Sequence, residues 1–153
     1  MDTTSPDWIA ALVSLLGGDK VTVAADDITS HSGDKWSASH PPEVVVFAES
    51  TADVSEVLKF AHERGIPVTT RGAGVGYVGG CVPVNGGIAL SVMRMNRILG
   101  MHPEDGVAIV QPGVITRELR DAAREVGWEY PPDPASLKEC SIGGNIATNA
   151  GGP

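Results

Sequence analysis

Two segments of this chain have the composition of a phosphate cradle: Arg71-Gly72-Ala73-Gly74-Val75-Gly76-Tyr77-Val78-Gly79-Gly80 and Ser141-Ile142-Gly143-Gly144-Asn145-Ile146-Ala147-Thr148-Asn149-Ala150-Gly151-Gly152. Glycine has no Cβ to hold a ligand at a distance and adopts positive φ freely, so such runs let several backbone N–H groups converge on one anion. The chemistry this favours is recognition of a phosphate-bearing cofactor through main-chain donors. Gly74-Val75-Gly76-Tyr77-Val78-Gly79 also has the literal G-x-G-x-x-G spacing of a dinucleotide-binding turn. That turn works by starting a helix inside the glycines, so that the helix N-terminus faces the pyrophosphate. Here Cys81-Val82-Pro83-Val84-Asn85-Gly86-Gly87 follows, a turn-rich stretch hostile to helix. A nicotinamide-binding domain is therefore disfavoured, and a bound anion would be held by loop N–H groups alone. A tight structural turn without a ligand is the alternative.

The other reactive side chains form no comparable pattern. His31, His40, His62 and His102 lack metal-ligand spacing, and Cys81 and Cys140 are far apart with no C-x-x-C arrangement. Two isolated cysteines fit a reducing compartment better than a disulfide scaffold. Eleven Lys and Arg against 19 Asp and Glu give a net charge of −8, a field that repels nucleic-acid backbones and anionic lipid. No apolar run reaches the roughly 18 residues of a membrane helix, and the first residues lack a basic stretch leading into an apolar one. The expectation is a cytoplasmic protein without nucleic-acid or membrane partners.

The elements that must position the glycine runs are legible from apolar periodicity. Ser5-Pro6 ahead of Trp8, Ile9, Leu12, Val13, Leu15 and Leu16 predicts a capped amphipathic helix with proline at its first position, stopped by Gly17-Gly18. Residues 24 to 42 are polar, end on Pro41-Pro42 and read as a loop. Val44-Val45-Val46-Phe47 predicts a buried strand. Ser50-x-x-Asp53 then opens a helix with Val54, Val57, Leu58 and Ala61 on one face, and Gly65 ends it. Pro67-Val68-Thr69-Thr70 predicts the next strand, so the first glycine run leaves the carboxyl end of a parallel crossover, where ligands collect in such sheets. Further strands are expected over residues 87–92, 98–101 and 107–110, the last two joined through Asp105-Gly106. A second helix runs from Ile115 to Val126, and Trp128 to Pro153 shows little regular pattern.

From Pro41 onward the chain resembles the FAD-linked oxidases, the vanillyl-alcohol oxidase or PCMH-type (methylhydroxylase-type) flavoprotein superfamily, and within it the glycolate oxidase and D-lactate dehydrogenase branch. The residues that carry this are Pro67-Val68-x-x-Arg71-Gly72-x-Gly74-x-Gly76 with Gly79-Gly80, Met95-Asn96-Arg97-Ile98-Leu99, Val110-Gln111-Pro112-Gly113-Val114, Pro132-Asp133-Pro134, and Cys140-Ser141-Ile142-Gly143-Gly144-Asn145 running into Thr148-Asn149-Ala150-Gly151-Gly152. Five motifs in order are far more specific than one glycine pattern.

The resemblance implies an α+β fold: a PCMH-type FAD-binding domain whose first α/β subdomain is a β-α-β crossover with a small mixed sheet, followed by the beginning of a second subdomain. Residues 1–40 would form an N-terminal helix and lead-in loop, and residues 41–153 the N-terminal part of the FAD domain. It implies that FAD pyrophosphate meets the loop of Arg71, Gly72, Ala73, Gly74, Val75, Gly76, Tyr77, Gly79 and Gly80, with N–H donors from Gly72 to Tyr77 and Arg71 as a brace. Pro132, Asp133, Ser141, Gly143, Gly144, Asn145, Thr148, Asn149 and Gly151 would line the flavin and ribityl side, Asn145 and Thr148 as polar contacts. Turn-capping by the Asn and Thr side chains is the alternative for those polar residues.

Two departures qualify the resemblance. Val75 stands where relatives with histidyl-linked FAD carry histidine, so non-covalent FAD is expected. Val75 also replaces a hydroxyl residue of many relatives, a loss of about 0.5–1.5 kcal/mol for one hydrogen bond. Cys140 is expected to be a small buried thiol and not a cysteinyl-flavin link. In the family the chain continues into a substrate-binding cap domain, so this chain is expected to be an N-terminal fragment and none of its residues is assigned as catalytic. The intact enzyme would oxidise a small 2-hydroxy acid. An iron-sulfur or second FAD-domain subunit, or homo-oligomerisation, is compatible with the resemblance. The alternatives are a non-catalytic FAD-binding piece completed by a second polypeptide and an FAD-dependent reductase of cell-wall precursors.

Overall fold

A computed structural model describes residues 6–153. They divide into two compact units, one of residues 6–71 with 76–91 and the other of residues 72–75 with 92–153. The architecture is α+β with a small mixed sheet.

The first unit is built around the apolar run of β2 (Val44–Phe47). Val44, Val45 and Val46 are all fully buried, as consecutive residues of a strand covered on both faces must be. The sheet order is β1-β2-β4-β3, with β1 (Val21–Thr22) antiparallel to β2, and with β2, β4 (Ile88–Ser91) and β3 (Val68–Arg71) parallel. Their register brings Phe47, Ser91 and Arg71 level at the carboxyl edge. The expected crossover is therefore wider than adjacent strands: β4, a later segment buried along its whole length, inserts between β2 and β3. Pairing of that range cannot be read from local periodicity.

Helix α3 (Thr51–Arg64) connects β2 to β3, and its start is a capping box. Asp53 N–H donates to Ser50 Oγ at 3.1 Å, and the Asp53 carboxylate accepts from Ser50 N at 3.0 Å and from Lys20 Nζ at 2.9 Å. Burial pushes the Asp53 carboxyl upward, but the hydrogen bonds from Lys20, Glu49 N and Ser50 outweigh it and hold the group below its ordinary value. The buried face is Val57, Phe60 and Ala61, whereas Leu58 is 47% exposed. The core stripe follows the i, i+3, i+4 spacing from Val57, which carries Leu58 around to solvent. Gly65 closes the helix at φ 64°.

The N-terminal helix α1 (Asp7–Leu16) buries Ile9 and Leu12 and packs on α3 and β1. Pro6 is its N-cap residue, one position earlier than expected, and Ser5 lies outside the described residues. The stretch 24–42 is not all loop: it holds α2 (Ala25–Ser30) and a Gly33–Ser39 bridge. His31 follows α2 with its ring edge-on to Phe47, centroids 5.3 Å apart, and its Nδ1 lies 2.9 Å from the Asp27 carbonyl. A carbonyl only accepts, so this contact places the ring proton on Nδ1.

In the second unit, β5 (Ile98–His102) and β6 (Val107–Val110) form the expected hairpin, with Gly106 at φ +65° in the turn. Helix α4 (Thr116–Glu125) buries Thr116, Leu119 and Ala123. The region after Trp128 is more regular than its sequence indicates, because it contains α5 (Ile142–Thr148). Val114, Leu119 and Ile142 form the core, with Ile98, Met101, Ala108, Val110 and Tyr130 packed against it.

Two outcomes test the first unit. Gly87 enters β4 at φ +73°, and a Cβ there would run into the Pro67 carbonyl. Gly87→Ala should lower unfolding free energy by about 3 kcal/mol in a urea titration, from strained φ and the displaced neighbour. The His31 imidazole is held below its ordinary value of 6.5, first by burial and then by the Arg71 charge, against the raising effect of Asp27. The unfolded chain therefore takes up this proton first as pH falls, and stability present above pH 6.5 is lost as pH drops toward the folded value. The melting temperature should fall between pH 7.5 and 5.5, and His31→Gln should flatten that fall.

Candidate cofactor site

The first glycine run begins where β3 ends, and no helix starts between Gly72 and Gly87. Its leading residue, Arg71, is buried with its guanidinium turned back into the first unit. Nη1 donates to the Gly33 carbonyl at 2.6 Å and to Cys81 Sγ at 3.3 Å, and Nη2 donates to the Ser30 carbonyl at 3.1 Å. This is the geometry of a brace.

The loop that follows engages its later residues and leaves the donors of its first ones open. Gly76 O accepts from Lys35 N at 3.1 Å and Gly79 N–H donates to the Asp34 carboxylate at 2.9 Å. The backbone N–H groups of Gly72, Ala73, Gly74, Val75, Gly76 and Tyr77 find no acceptor among the described residues. Gly74 sits at φ +70°, which turns the run. Gly76 is different: its φ is ordinary and a Cβ there would meet nothing within 4 Å, so nothing in the protein itself requires glycine. Open space at a glycine beside unpartnered donors is what an approaching anion needs. Tyr77 is exposed, Val75 half-buried and Gly80 exposed.

The second run opens a helix, which the sequence reading missed. Ser141 is the N-cap of α5, its Oγ accepting from Gly144 N at 3.4 Å. Within the second unit this N-cap meets the start of the first run, since a Cβ on Gly72 would lie 2.6 Å from Ser141 Oγ. Gly143 abuts Pro112, whose carbonyl accepts the Gly143 N–H at 2.9 Å. The structure thus brings Gly72, Ser141, Gly143 and Gly144 together by close backbone approach.

The polar side chains of this run bond inward. Asn145 is buried and its Nδ2 donates to Thr116 Oγ1 at 2.6 Å. That hydroxyl donates to the Cys140 carbonyl at 3.2 Å and accepts from Cys140 Sγ at 3.3 Å, so Cys140 is a buried, hydrogen-bonded thiol. Thr148 Oγ1 donates to Gly144 O at 2.8 Å, within its own helix. Asn149 takes the left-handed cap at φ 53°. Thr148 is thus bonded within its own helix and Asn149 caps it by backbone conformation, whereas Asn145 keeps its amide oxygen unengaged among the described residues.

Pro132 and Asp133 lie against the end of the same run. Asp133 N–H donates to the Gly151 carbonyl at 2.8 Å, and the Asp133 carboxylate pairs with Arg120 at 2.7 Å. Arg120 also pairs with Glu129, whose carboxyl is held low first by Arg124 and then by Arg120. Asp133 is therefore a compensated charge. Among the described residues no cluster of His, Cys, Asp or Glu could hold a metal ion, and no helix is long and apolar enough to cross a membrane.

Comparison with known proteins gives these features a family. Residues 42–153 match the model of the FAD binding domain. The chain is 48% identical over 111 residues to a D-lactate dehydrogenase of Anaerostipes hadrus, covering 72% of this chain and 23% of that protein. It is 37% identical over 152 residues to glycolate oxidase subunit GlcD of Escherichia coli K12, covering 99% of this chain and 30% of that one. Among solved structures, p-cresol methylhydroxylase with substrate bound superposes with a TM-score of 0.76 at 28% identity, over 90% of this chain and 28% of that chain. Alkyldihydroxyacetonephosphate synthase shares the fold with a TM-score of 0.88 at 22% identity, over 98% of this chain and 33% of its own. The chain spans less than a third of the curated relatives it matches. With its glycine run open to an anion and its motifs continuous across the matched residues, the chain belongs to the FAD binding domain family, and its cofactor is FAD.

Proposed function

We propose that this chain supplies the pyrophosphate loop and the flavin-side wall of an FAD-dependent oxidoreductase that oxidises a small 2-hydroxy acid such as glycolate or D-lactate. The observation that carries the reading is the run of N–H groups from Gly72 to Tyr77 without acceptors among the described residues. Hydrogen bonds from such donors to a charged oxygen are worth about 1.5–3 kcal/mol each. FAD, when bound, would supply the acceptor for a hydride from the substrate carbon. The chain's own contribution is binding and orientation. Gly72 to Tyr77 hold the pyrophosphate while Arg71 fixes the loop's origin. Pro132, Asp133, Ser141, Gly143, Gly144 and Gly151 shape the wall by backbone, and Asn145 offers its amide oxygen. Val75 offers no histidyl link at its position and Cys140 is a buried, hydrogen-bonded thiol, which supports non-covalent FAD. The substrate identity rests on the relatives named D-lactate dehydrogenase and glycolate oxidase subunit.

A second reading, an FAD-binding piece completed by another polypeptide, is favoured by one feature of the second unit. A cavity of about 300 Å³ opens between the hairpin and α4, lined by Met101, Val110, Trp128, Tyr130 and Ile146, and Ile146 is 74% exposed. Such a surface suits burial by further chain.

Gly76→Val tests the loop. The added Cβ has no protein atom within 4 Å, so the apoprotein should melt close to the parent. The FAD dissociation constant, read by flavin fluorescence, should rise at least about tenfold as the valine displaces the anion. Unchanged affinity would remove the pyrophosphate from this loop. In the intact protein, anaerobic glycolate or D-lactate should bleach the flavin absorbance, and if neither does, the substrate class is wrong. Gel filtration separates the second reading, which predicts that the isolated chain self-associates or pairs with the remaining polypeptide.

A further inference from the structure

Residues 33–39, read from sequence as lead-in loop, touch the first glycine run at several points within the first unit. The Gly33–Ser39 bridge and the hydrogen bond from Asp34 N to Ala38 O at 3.2 Å close them into a small hairpin. Asp34 sits at the centre. One carboxylate oxygen accepts from Trp36 N at 2.8 Å and the other from Gly79 N at 2.9 Å, so a single side chain ties the hairpin to the glycine run. Lys35 N donates to Gly76 O at 3.1 Å, and the Trp36 ring meets the Tyr77 ring edge-on with centroids 5.9 Å apart. At its other end the hairpin is anchored by Arg71, whose guanidinium donates to Gly33 O.

These contacts are selective. They take the carbonyl of Gly76, the N–H of Gly79 and the ring of Tyr77, and leave the N–H groups from Gly72 to Tyr77 without acceptors among the described residues. A glycine loop is entropically the least constrained kind of backbone, and converging its donors on one anion requires that freedom to be removed in advance.

We propose that Asp34 is a positioning residue for FAD binding: through Gly79 and the hairpin it holds the glycine run with its N–H groups turned outward. The proposal rests on the reading that this run binds the pyrophosphate. A carboxylate beside an anion site is electrostatically unfavourable, so Asp34 acts by acceptor geometry and not by charge. Asparagine has one acceptor oxygen, which can keep the Gly79 bond while the Trp36 bond and the charge are lost, whereas alanine keeps no acceptor.

The test measures FAD dissociation constants by flavin fluorescence in the intact protein, together with apoprotein melting temperatures and amide hydrogen exchange over residues 76–80. Asp34→Ala should weaken FAD about tenfold and speed exchange at Gly79, as expected when the acceptor of a partly buried N–H is removed. Asp34→Asn should stay within about threefold of the parent. Trp36→Ala changes a ring that is 74% exposed and so leaves folding intact. It should weaken FAD about threefold through loss of the Tyr77 contact, and it decides the matter if Asp34→Ala does not fold. Equal affinity in parent and Asp34→Ala, or an asparagine variant as weak as the alanine one, overturns the proposal. If these hold while Gly76→Val still weakens FAD, the loop reading stands and only the positioning role is lost. If Gly76→Val binds like the parent, the loop reading fails and takes this proposal with it.

Discussion

The buried guanidinium of Arg71 is the interaction on which the first unit's functional edge depends. A charge taken out of water is tolerated only when its donors are matched, and Arg71 matches them with main-chain oxygens and a cysteine sulfur, with no carboxylate among its hydrogen-bond partners. The Ser30 carbonyl lies at the end of α2, where carbonyls point outward and the helix dipole is negative, so the cation suits that position. Because Arg71 is also the last residue of β3, in register with Ser91 of the central strand, the same side chain links the sheet edge, the end of α2 and the hairpin at Gly33. The glycine run that follows leaves from a point held on three sides. Its flexibility is therefore local.

The two glycine runs use their glycines for different physical reasons. In the first, Gly76 is free of steric demand from the protein, and the donors around it remain open. In the second, Gly143 lets the chain close on Pro112, and the polar side chains around it are engaged with each other and with Thr116. One run is kept available and the other is consolidated. Open main-chain donors suit an anion, whereas a closely packed, internally bonded run presents a surface of fixed shape.

Legibility in the sequence follows how local each determinant is. β2 and α3 are plain because their signals are contiguous: three valines in a row, then Ser50 and Asp53 at the spacing of a reciprocal cap. The hairpin of β5 and β6 is plain for the same reason, with Asp105-Gly106 at its turn. α2 is hidden because its six residues bury nothing, so no apolar period exists to be seen. α5 is hidden by Gly143 and Gly144, which lower helix propensity, while the serine cap that starts it resembles any loop serine. The insertion of β4 between β2 and β3 is a matter of long-range pairing, invisible to any window. At the candidate site, glycine spacing picks out a loop with open donors, but the Asp34 contact to it is not legible, since its partner Gly79 lies 45 residues away.

The net charge of −8 does not by itself oppose an anionic cofactor. Coulomb interactions between exposed charges are screened over about 8 Å at physiological ionic strength, so dispersed surface carboxylates contribute little at a given loop. What acts at contact distance is the set of N–H dipoles from Gly72 to Tyr77, which need no net positive charge. The nearby acids are matched: Asp34 accepts from Trp36 N and Gly79 N, and Asp133 pairs with Arg120. A net negative charge is thus compatible with an anion held by main-chain donors, because such recognition resides in geometry at short range and not in the chain's summed charge.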